Sequence, residues 1–486
     1  MLQFPAKSAD RERMALDGHG CPGKRLGLQD TTVHNRKAVP DDLLISLLGV
    51  FQASRFALTR PGFGKLLVIA LGWILTQGSH AVTGALVMSG VAGQQHHEAF
   101  HRFFSRGTWD PDHVGRWLFR RLEPLLGDGP VRAILDDTVT PKKGPHVFGI
   151  GTHVDAVRST RLHRIFCFGH CWVVLAIALR IPFSRRVWAL PVLFRLYRNV
   201  KECAKHNDDY AKKTELGREM LDVFLSWVGT RRVELSADAA FCNDTIMRGL
   251  SPSLVLFGAM RPDAVLTEEP QPRAQGLVGR PKKRGTAVPK PQAIAKDDRI
   301  PWQECTAELY GRTTTVVYKT ICAQWYRACG TRLLRIVIVA TEQGRVPFRV
   351  FFCTDHTVDV VRLLETYAGR WGIEVFFRDG KQLLGLADSS ARTEAAVRRV
   401  APFVGLLYTV LVIWYLEGAS GAVVATLPVR PWYRHKRDVS FADILRTAQQ
   451  VLRGVDIFDL LCKSGHLKKP PAQAQPPPDS GQPLAA

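Results

Sequence analysis

Residues 367–381 read YAGRWGIEVFFRDGK and place four polar side chains at helical spacing. On an α-helix each residue turns by about 100°, so Tyr367, Arg370, Glu374 and Lys381 fall within an arc of roughly 60°. A single helix over this stretch would present a carboxylate between two cations and a phenol along one border. Such a border could hold a metal ion and contact phosphate groups.

An apolar stripe runs beside this polar arc and contains Ile373, Phe377 and Leu384. The stripe would pack the helix against a sheet and leave the polar border at the edge of the contact. A solvated amphipathic helix with ion pairs explains the same pattern. Three glycines in the stretch also weaken a helix by up to about 1 kcal/mol each. The segment alone therefore leaves both interpretations open.

Two aspartates earlier in the chain each follow a short apolar run that is typical of a buried strand. Asp136 follows residues 131–135 and Asp238 follows residues 232–237. Carboxylates at the ends of neighbouring strands suit Mg²⁺, which prefers oxygen ligands. Taken singly, an Asp after a strand is more often a turn or cap residue. Asp137 competes for the first position, and Asp136 is preferred because it directly follows the apolar run.

The other segments alternate between helix-like and strand-like patterns. Apolar residues recur at helical spacing in 41–126, 192–228 and 355–416. Strands with interposed helices indicate an α/β core. The further predicted strands are, in chain order, 147–150, 165–179, 253–257, 313–320, 333–341 and 348–353.

Composition divides the chain into six regions. A loose basic N-terminus and a helical region come first, and a disordered Pro/Gln-rich tail comes last. Between them we expect the first part of an α/β core, a linker with a strand-rich insertion, and a final helix with C-terminal helices. The predicted boundaries are 1–40, 41–127, 128–266, 267–356, 357–465 and 466–486.

The charge balance points to a polyanionic partner. The 486 residues include 66 Lys and Arg against 44 Asp and Glu, a net charge of +22. Such an excess attracts nucleic acid or an anionic membrane surface. Membrane insertion is not expected, because the longest apolar run, residues 400–416, falls short of the roughly 20 residues of a span.

Ten cysteines are scattered along the chain. Cys167 and Cys171 lie near His163 and His170, which could suggest zinc. No second pair at zinc-finger spacing follows, so structural thiols are the preferred interpretation. With no signal peptide visible, we expect an intracellular, reduced protein.

The spacing Y-x2-R-x3-E-x6-K, met by Tyr367, Arg370, Glu374 and Lys381, resembles a known signature. It is that of the DDE transposases of bacterial insertion sequences, in the insertion-sequence-4-like group. Residues 131–143, with Asp-Asp-Thr and Pro-Lys-Lys-Gly, look like the first-aspartate block of that superfamily. Residues 235–243 look like its second block.

The resemblance implies an RNase H-like catalytic core with a strand-rich insertion, preceded by an all-helical N-terminal domain. By its position this domain, 41–127, would bind the DNA ends, and the region 357–465 would begin with the final catalytic helix. It implies that Asp136, Asp238 and Glu374 bind two Mg²⁺ ions, for which Mn²⁺ can substitute. Tyr367, Arg370 and Lys381 would contact DNA phosphates beside the cut.

The resemblance also implies a reaction on double-stranded DNA. The enzyme would cut at the terminal inverted repeats of a mobile element and transfer its 3′-hydroxyl ends into target DNA. Cutting two ends suggests a dimeric synaptic complex, and the expected location is the cytoplasm, on the nucleoid.

A basic linker segment, GRPKKRG at residues 279–285, resembles a minor-groove hook. Arg280, Lys282, Lys283 and Arg284 would then bind DNA, and a solubilising linker is the equal alternative.

A second basic pair, Lys142 and Lys143, follows the first aspartate and could touch phosphate near the cut. Exposed surface lysines are the common alternative.

Two other functions share these features. A non-transposing nuclease on the same core would use the same carboxylates and yield nicks without strand transfer. A catalytically inactive DNA-binding protein derived from a transposase would bind and not cut.

Overall fold

The structure is a computed structural model that describes residues 41–52, 55, 57–144, 146–155, 158–160, 162–271, 280–341, 348–419, 436 and 438–468. The predicted loose N-terminus, 1–40, lies outside these residues. So does the predicted tail from residue 469 onward. The first residues assigned to that tail are ordered, because the His466 ring packs edge-on against Phe63 at 5.3 Å.

The described residues form helices before, within and after a large sheet. The helices are α1 Asp41–Gln52, α2 Arg60–Leu75, α3 Val82–Met88, α4 Glu98–Ser105, α5 Pro111–Leu122, α6 Val200–His206, α7 Lys213–Val228, α8 Asp244–Met247, α9 Pro291–Lys296, α10 Tyr326–Cys329, α11 Val360–Gly369, α12 Trp371–Leu383, α13 Glu394–Ala419, α14 Phe441–Leu452 and α15 Ile457–Lys463. The strands are β1 Val131–Pro141, β2 Gly151–Val154, β3 Phe166–Arg180, β4 Val187–Tyr197, β5 Val233–Ala237, β6 Leu254–Met260, β7 Leu266–Thr267, β8 Ala287–Val288, β9 Gln303–Leu309, β10 Arg312–Gln324, β11 Leu333–Ala340 and β12 Phe348–Cys353.

The strands join into one 12-stranded sheet, in the order β2-β3-β1-β5-β6-β12-β11-β10-β7-β8. Strand β4 pairs with β3, and β9 pairs with β10. The pairs β1–β5 and β5–β6 are parallel, and the other pairs are antiparallel. This large, mostly antiparallel sheet with helices fits the expected RNase H-like α/β class.

The strand-rich segment predicted between Asp238 and Glu374 is present and extends the same sheet. Strand β12 pairs antiparallel with β6, with Phe352 opposite Gly258. Strands β11 and β10 follow in order. The insertion is therefore continuous with the strands that carry the candidate site.

Three local predictions differ from the structure. Residues 147–150 form a turn and not a strand, because Gly149 has a φ of 73°, which L side chains rarely adopt. Residues 192–197 belong to β4 and not to a helix. A continuous apolar run buried on both faces has no period that separates strand from helix. Strand β9 lies within the predicted linker and strand-rich insertion, 267–356, but before the first individual strand predicted there, 313–320.

The N-terminal helices pack against the C-terminal helices in one hydrophobic core. Trp414 of α13 donates its indole N–H to the Leu43 carbonyl of α1 at 3.3 Å. Arg399 of α13 donates to the Phe104 carbonyl of α4 at 2.8 Å. Helices α1–α5 lie within the predicted helical region 41–127, and an all-helical N-terminal domain there stays a prediction.

Helix α13 is long and apolar enough to cross a membrane by length and composition. The most apolar 18-residue window of its segment Glu394–Gly418 has a mean hydropathy of 1.7, and 89% of that window is buried inside the protein. Burial of that extent is what a central helix of a folded core requires, since β4, α1, α4 and α5 cover it.

Candidate active site

The first candidate carboxylate, Asp136, lies inside strand β1 and not at its end. Strand β1 pairs in parallel with β5, and the register places Leu135 opposite Ala237. Asp238 follows β5 directly and is therefore level with Asp136 on the neighbouring strand. The expectation that the strand ends before Asp136 is wrong, because β1 continues along β3 to Pro141.

Arg370 joins two of the three candidate carboxylates. Its Nη1 donates to Oδ2 of Asp136, and its Nη2 donates to Oε1 of Glu374 at 2.9 Å. The three side chains are largely buried, with exposed fractions of 12% for Arg370, 10% for Asp136 and 21% for Glu374. The guanidinium therefore lies between the first aspartate and the glutamate.

Asp238 completes the group from the end of β5. Its Oδ1 accepts a hydrogen bond from the backbone N–H of Ala240 at 2.9 Å, which fixes the carboxylate in the turn. Burial raises the pKa of Asp136 to about 7, against the opposing charge of Arg370 and with further increases from Asp238 and Asp137. The negative charge of Asp238 thus acts directly on Asp136.

These carboxylates are hard oxygen donors of the kind that Mg²⁺ prefers. The raised pKa of Asp136 shows that Arg370 does not fully offset the burial and the neighbouring negative charges. In the arrangement described for residues 41–468, no three His, Cys, Asp or Glu side chains stand close enough to hold an ion. Asp136 and Glu374 are instead spanned by the Arg370 guanidinium. The carboxylates of Asp136, Asp238 and Glu374 fit a divalent ion if the Arg370 guanidinium releases its hydrogen bond to one of them.

Asp137, the alternative first ligand, faces away from this group. Successive residues of a strand point to opposite faces of a sheet. The Asp137 Oδ2 accepts from Lys213 Nζ at 2.7 Å and from Cys171 Sγ at 3.4 Å. Asp136 therefore shares a side with Arg370 and Glu374, which favours it over Asp137 as the ligand.

The stretch 367–381 forms two helices and not one, with the break at Arg370. The junction between the two helices packs closely on β4. A Cβ added at Gly372 would lie 2.7 Å from the Val187 carbonyl oxygen, and one at Gly369 would lie 3.2 Å from Cγ2 of Val187. The glycines that weaken a helix thus allow the α11–α12 junction to approach the sheet.

The shared border of Tyr367, Arg370 and Glu374 survives the break, because Arg370 lies 5.7 Å from the Tyr367 ring centroid and bonds to Glu374. The Tyr367 ring also packs against Phe351 at 4.7 Å. Lys381 lies two turns further along α12, where burial lowers its pKa and Asp155 is the first opposing charge. Tyr367 and Lys381 are both half-buried.

The basic residues predicted to contact DNA differ in how far they are buried. Lys142 Nζ donates to the carbonyls of Ala387 at 2.8 Å and Ser389 at 2.7 Å, and burial lowers its pKa to about 8. It therefore fastens the loop after α12. Lys143 beside it is exposed. Also exposed are the four linker residues Arg280, Lys282, Lys283 and Arg284.

Lys213 was not predicted from the sequence. It begins α7, and only the folded sheet brings it to Asp137. No sequence signal links Lys213 to the aspartate pair, because 76 positions separate it from Asp137.

The thiols expected to be structural are free cysteines throughout the described residues, and Cys171 is buried.

Residues 58–321, more than half of the chain, match the family of DDE superfamily endonucleases. The chain belongs to this family. The matched residues include Asp136 and Asp238 and end before Glu374. A comparison with curated proteins found no match. Family membership confirms the expected DDE class and supports a nuclease that acts on DNA with divalent metal ions.

Proposed function

We propose that this protein is a DDE transposase of the insertion-sequence-4-like group. The observation that carries the proposal is the contact between Arg370 and Asp136, which are 234 positions apart. Arg370 belongs to the Y-x2-R-x3-E-x6-K spacing, and Asp136 belongs to the first-aspartate block. Two stretches that suggest the same enzyme independently therefore meet in one buried ion pair.

In this proposal Asp136, Asp238 and Glu374 are the catalytic carboxylates and hold two Mg²⁺ ions, for which Mn²⁺ can substitute. Bound there, the ions would activate the attacking hydroxyl and offset charge on the leaving oxygen. The chain's own residues orient this centre. The N–H of Ala240 holds Asp238, and Arg370 holds Glu374 toward Asp136.

The proposed substrate is double-stranded DNA, namely the inverted repeats of an element and its target. Lys143 and the linker cations Arg280, Lys282, Lys283 and Arg284 are exposed and suited to phosphate contacts.

The half-buried Tyr367, Arg370, Lys381 and Lys142 would act closer to the cut. Arg370 can exchange a carboxylate for a DNA phosphate, since both offer paired oxygens to its guanidinium.

Several further assignments complete the proposal. Helices α1–α5 bind the element ends, and two copies of the chain assemble on paired ends. The protein works in the cytoplasm on the nucleoid and not in a membrane, because α13 serves as a core helix.

The test is an assay with purified protein, Mg²⁺ and labelled duplexes that carry the DNA flanking the coding region. A transposase should cut at inverted repeats there and join the 3′ ends to a second duplex. Nicks without joining would indicate a non-transposing nuclease. Binding without either product would indicate a catalytically inactive DNA-binding protein.

Replacing Arg370 with Met should lower the free energy of unfolding by about 3–5 kcal/mol, because it leaves two buried carboxylates without their counter-charge. Urea unfolding in metal-free buffer measures the loss, and added Mg²⁺ should restore part of it. The control is Arg398→Met, which removes an exposed ion pair to Glu394 on α13. That control should change stability by about 0.5 kcal/mol or less. Equal effects of the two changes would contradict the role given to Arg370.

A further inference from the structure

Four arginines from three parts of the chain lie in helix α10 or close to it. Arg284 of the linker places its guanidinium 4.7 Å from the Tyr326 ring centroid. Arg248, which follows α8, donates from Nη2 to the Arg327 carbonyl at 3.0 Å. Arg332 lies close enough for its charge to act on the Cys329 thiol within α10. We call Arg248, Arg284, Arg327 and Arg332 the α10 arginine cluster.

The positive charge of the α10 arginine cluster is not neutralised within the described protein. Across residues 41–468 as described, none of its four guanidinium groups has a carboxylate within ion-pair distance of 4.0 Å. Arg248, Arg284 and Arg327 are exposed. Like charges gathered at one place repel each other, and a polyanion that binds them relieves that repulsion.

The cluster sits on ordered backbone. Cys329 of α10 contacts the Met247 carbonyl of α8 through its Sγ at 4.0 Å. The Gly285 N–H donates to the Glu268 carbonyl at 3.0 Å, next to the β7–β8 pairing. A Cβ at Gly285 would lie 2.4 Å from the Glu269 carbonyl oxygen, so the linker approaches closely there. Arg284 is therefore held at Tyr326 before any ligand arrives.

The acidic side chains near this backbone do not neutralise the positive charge of the α10 arginine cluster. Glu268 and Glu269 are exposed, and the Glu268 carboxylate is bonded to the Thr286 hydroxyl. In complexes with duplex DNA, arginine guanidinium groups and tyrosine side chains are among the groups that hydrogen-bond to phosphate oxygens.

The cluster lies within reach of the candidate active site. Arg248 is ten residues after Asp238. Ten residues span at most about 35 Å when fully extended, which is about one turn of duplex DNA. The intervening turn and α8 shorten that span. Asp238 and Arg248 are therefore no further apart than about one turn of duplex DNA.

We propose that the α10 arginine cluster binds backbone phosphates of a duplex whose neighbouring turn lies at Asp136 and Asp238. The inference rests on the proposed function for the position of the cut strand. The proposed DNA contacts then include Arg248, Arg327 and Arg332 in addition to the basic linker. Tyr326 supports the guanidinium of Arg284. The linker cations and the cluster then form one DNA-contacting surface.

The test compares duplex binding by two charge-reversed proteins. One carries Arg284→Glu with Arg327→Glu, which spares Arg248 and its backbone hydrogen bonds. The control carries Lys201→Glu with Arg453→Glu, two exposed residues on α6 and after α14. Both change the net charge equally. The probe is a 40-base-pair duplex of the flanking DNA, titrated at several salt concentrations.

The cluster variant should bind more weakly than the control, and its slope of log K against log salt should be smaller by about 2, since each lost phosphate contact removes about 0.9. A milder variant, Arg284→Gln with Arg327→Gln, should show the same direction if the reversed protein folds poorly. Equal affinity and slope for cluster variant and control would overturn the inference.

The outcomes separate the two proposals. If the unchanged protein cuts and joins DNA while the cluster variant binds like the control, only the cluster assignment fails. If the unchanged protein binds duplex through the cluster and never cuts, the transposase proposal fails and the DNA surface stands. If the unchanged protein binds no duplex, both are overturned.

Discussion

A protein carrying Glu374→Gln should bind duplex DNA as tightly as the unchanged protein, or more tightly, and should lose cleavage by at least about 10³-fold. The amide keeps the size of the side chain and one oxygen for Arg370 Nη2, which donates to Glu374 at 2.9 Å. It removes a negative charge that a divalent ion needs. A loss of several kcal/mol of transition-state stabilisation corresponds to this factor, because each 1.4 kcal/mol is tenfold.

The measurement pairs a gel-shift titration with single-turnover cleavage in Mg²⁺. Lys381→Ala on the same helix is the matched variant. It removes a cation from the proposed DNA-facing border, so binding and rate should fall together. Cleavage near the parental rate by the Glu374→Gln protein would remove Glu374 from the catalytic set.

The sequence predicted which candidate residues lie together better than it predicted the local structure around them. The apolar runs before Asp136 and Asp238 correctly indicated neighbouring buried strands, since β1 and β5 pair in parallel. They did not show that β1 continues past Asp136. The residue directly after it, Asp137, has low intrinsic strand preference. Its place in β1 comes from pairing with Val173 of β3, which is a tertiary contact.

The same limit applies to the helices of the site. Helical periodicity correctly grouped Tyr367, Arg370 and Glu374 on one border, because the rotation per residue fixes that relation. The close packing of the α11–α12 junction on Val187, the first residue of β4, is a tertiary contact that no local pattern connects with Gly372. A single sequence shows the glycines, but it does not show the close approach to β4 that requires them.

Electrostatic partners were the least predictable part. Lys142 and Arg284 were both expected to be basic contacts, yet one is fastened to two carbonyls and the other lies over the Tyr326 ring. Charge and spacing look alike for a buried and an exposed cation. Only the fold shows that Lys142 donates to two backbone carbonyls and that Arg284 is exposed beside an aromatic ring.

Replacing Asp136 with Asn should abolish cleavage, whereas replacing Asp137 with Asn should leave cleavage within about tenfold of the parental rate. Asp136 shares the face of Glu374 and Arg370, and Asp137 is bonded to Lys213 on the other face. The first change removes a metal-binding charge, with a loss of several orders of magnitude expected. The second should lower the free energy of unfolding by about 1–2 kcal/mol, through loss of a half-buried ion pair.

Single-turnover cleavage and urea unfolding on both proteins separate the two roles. In the Asp136→Asn protein the amide oxygen can still accept the hydrogen bond that Oδ1 of Asp136 takes from the backbone N–H of Asp137 at 2.8 Å, so the local strand geometry should persist. Lys213→Met provides the matched control, because it removes the same ion pair from the other side and should reproduce the stability loss of Asp137→Asn without blocking cleavage. If a folded Asp137→Asn protein is inactive while Asp136→Asn still cuts, the first ligand is Asp137, and β1 must then present its opposite face to the DNA.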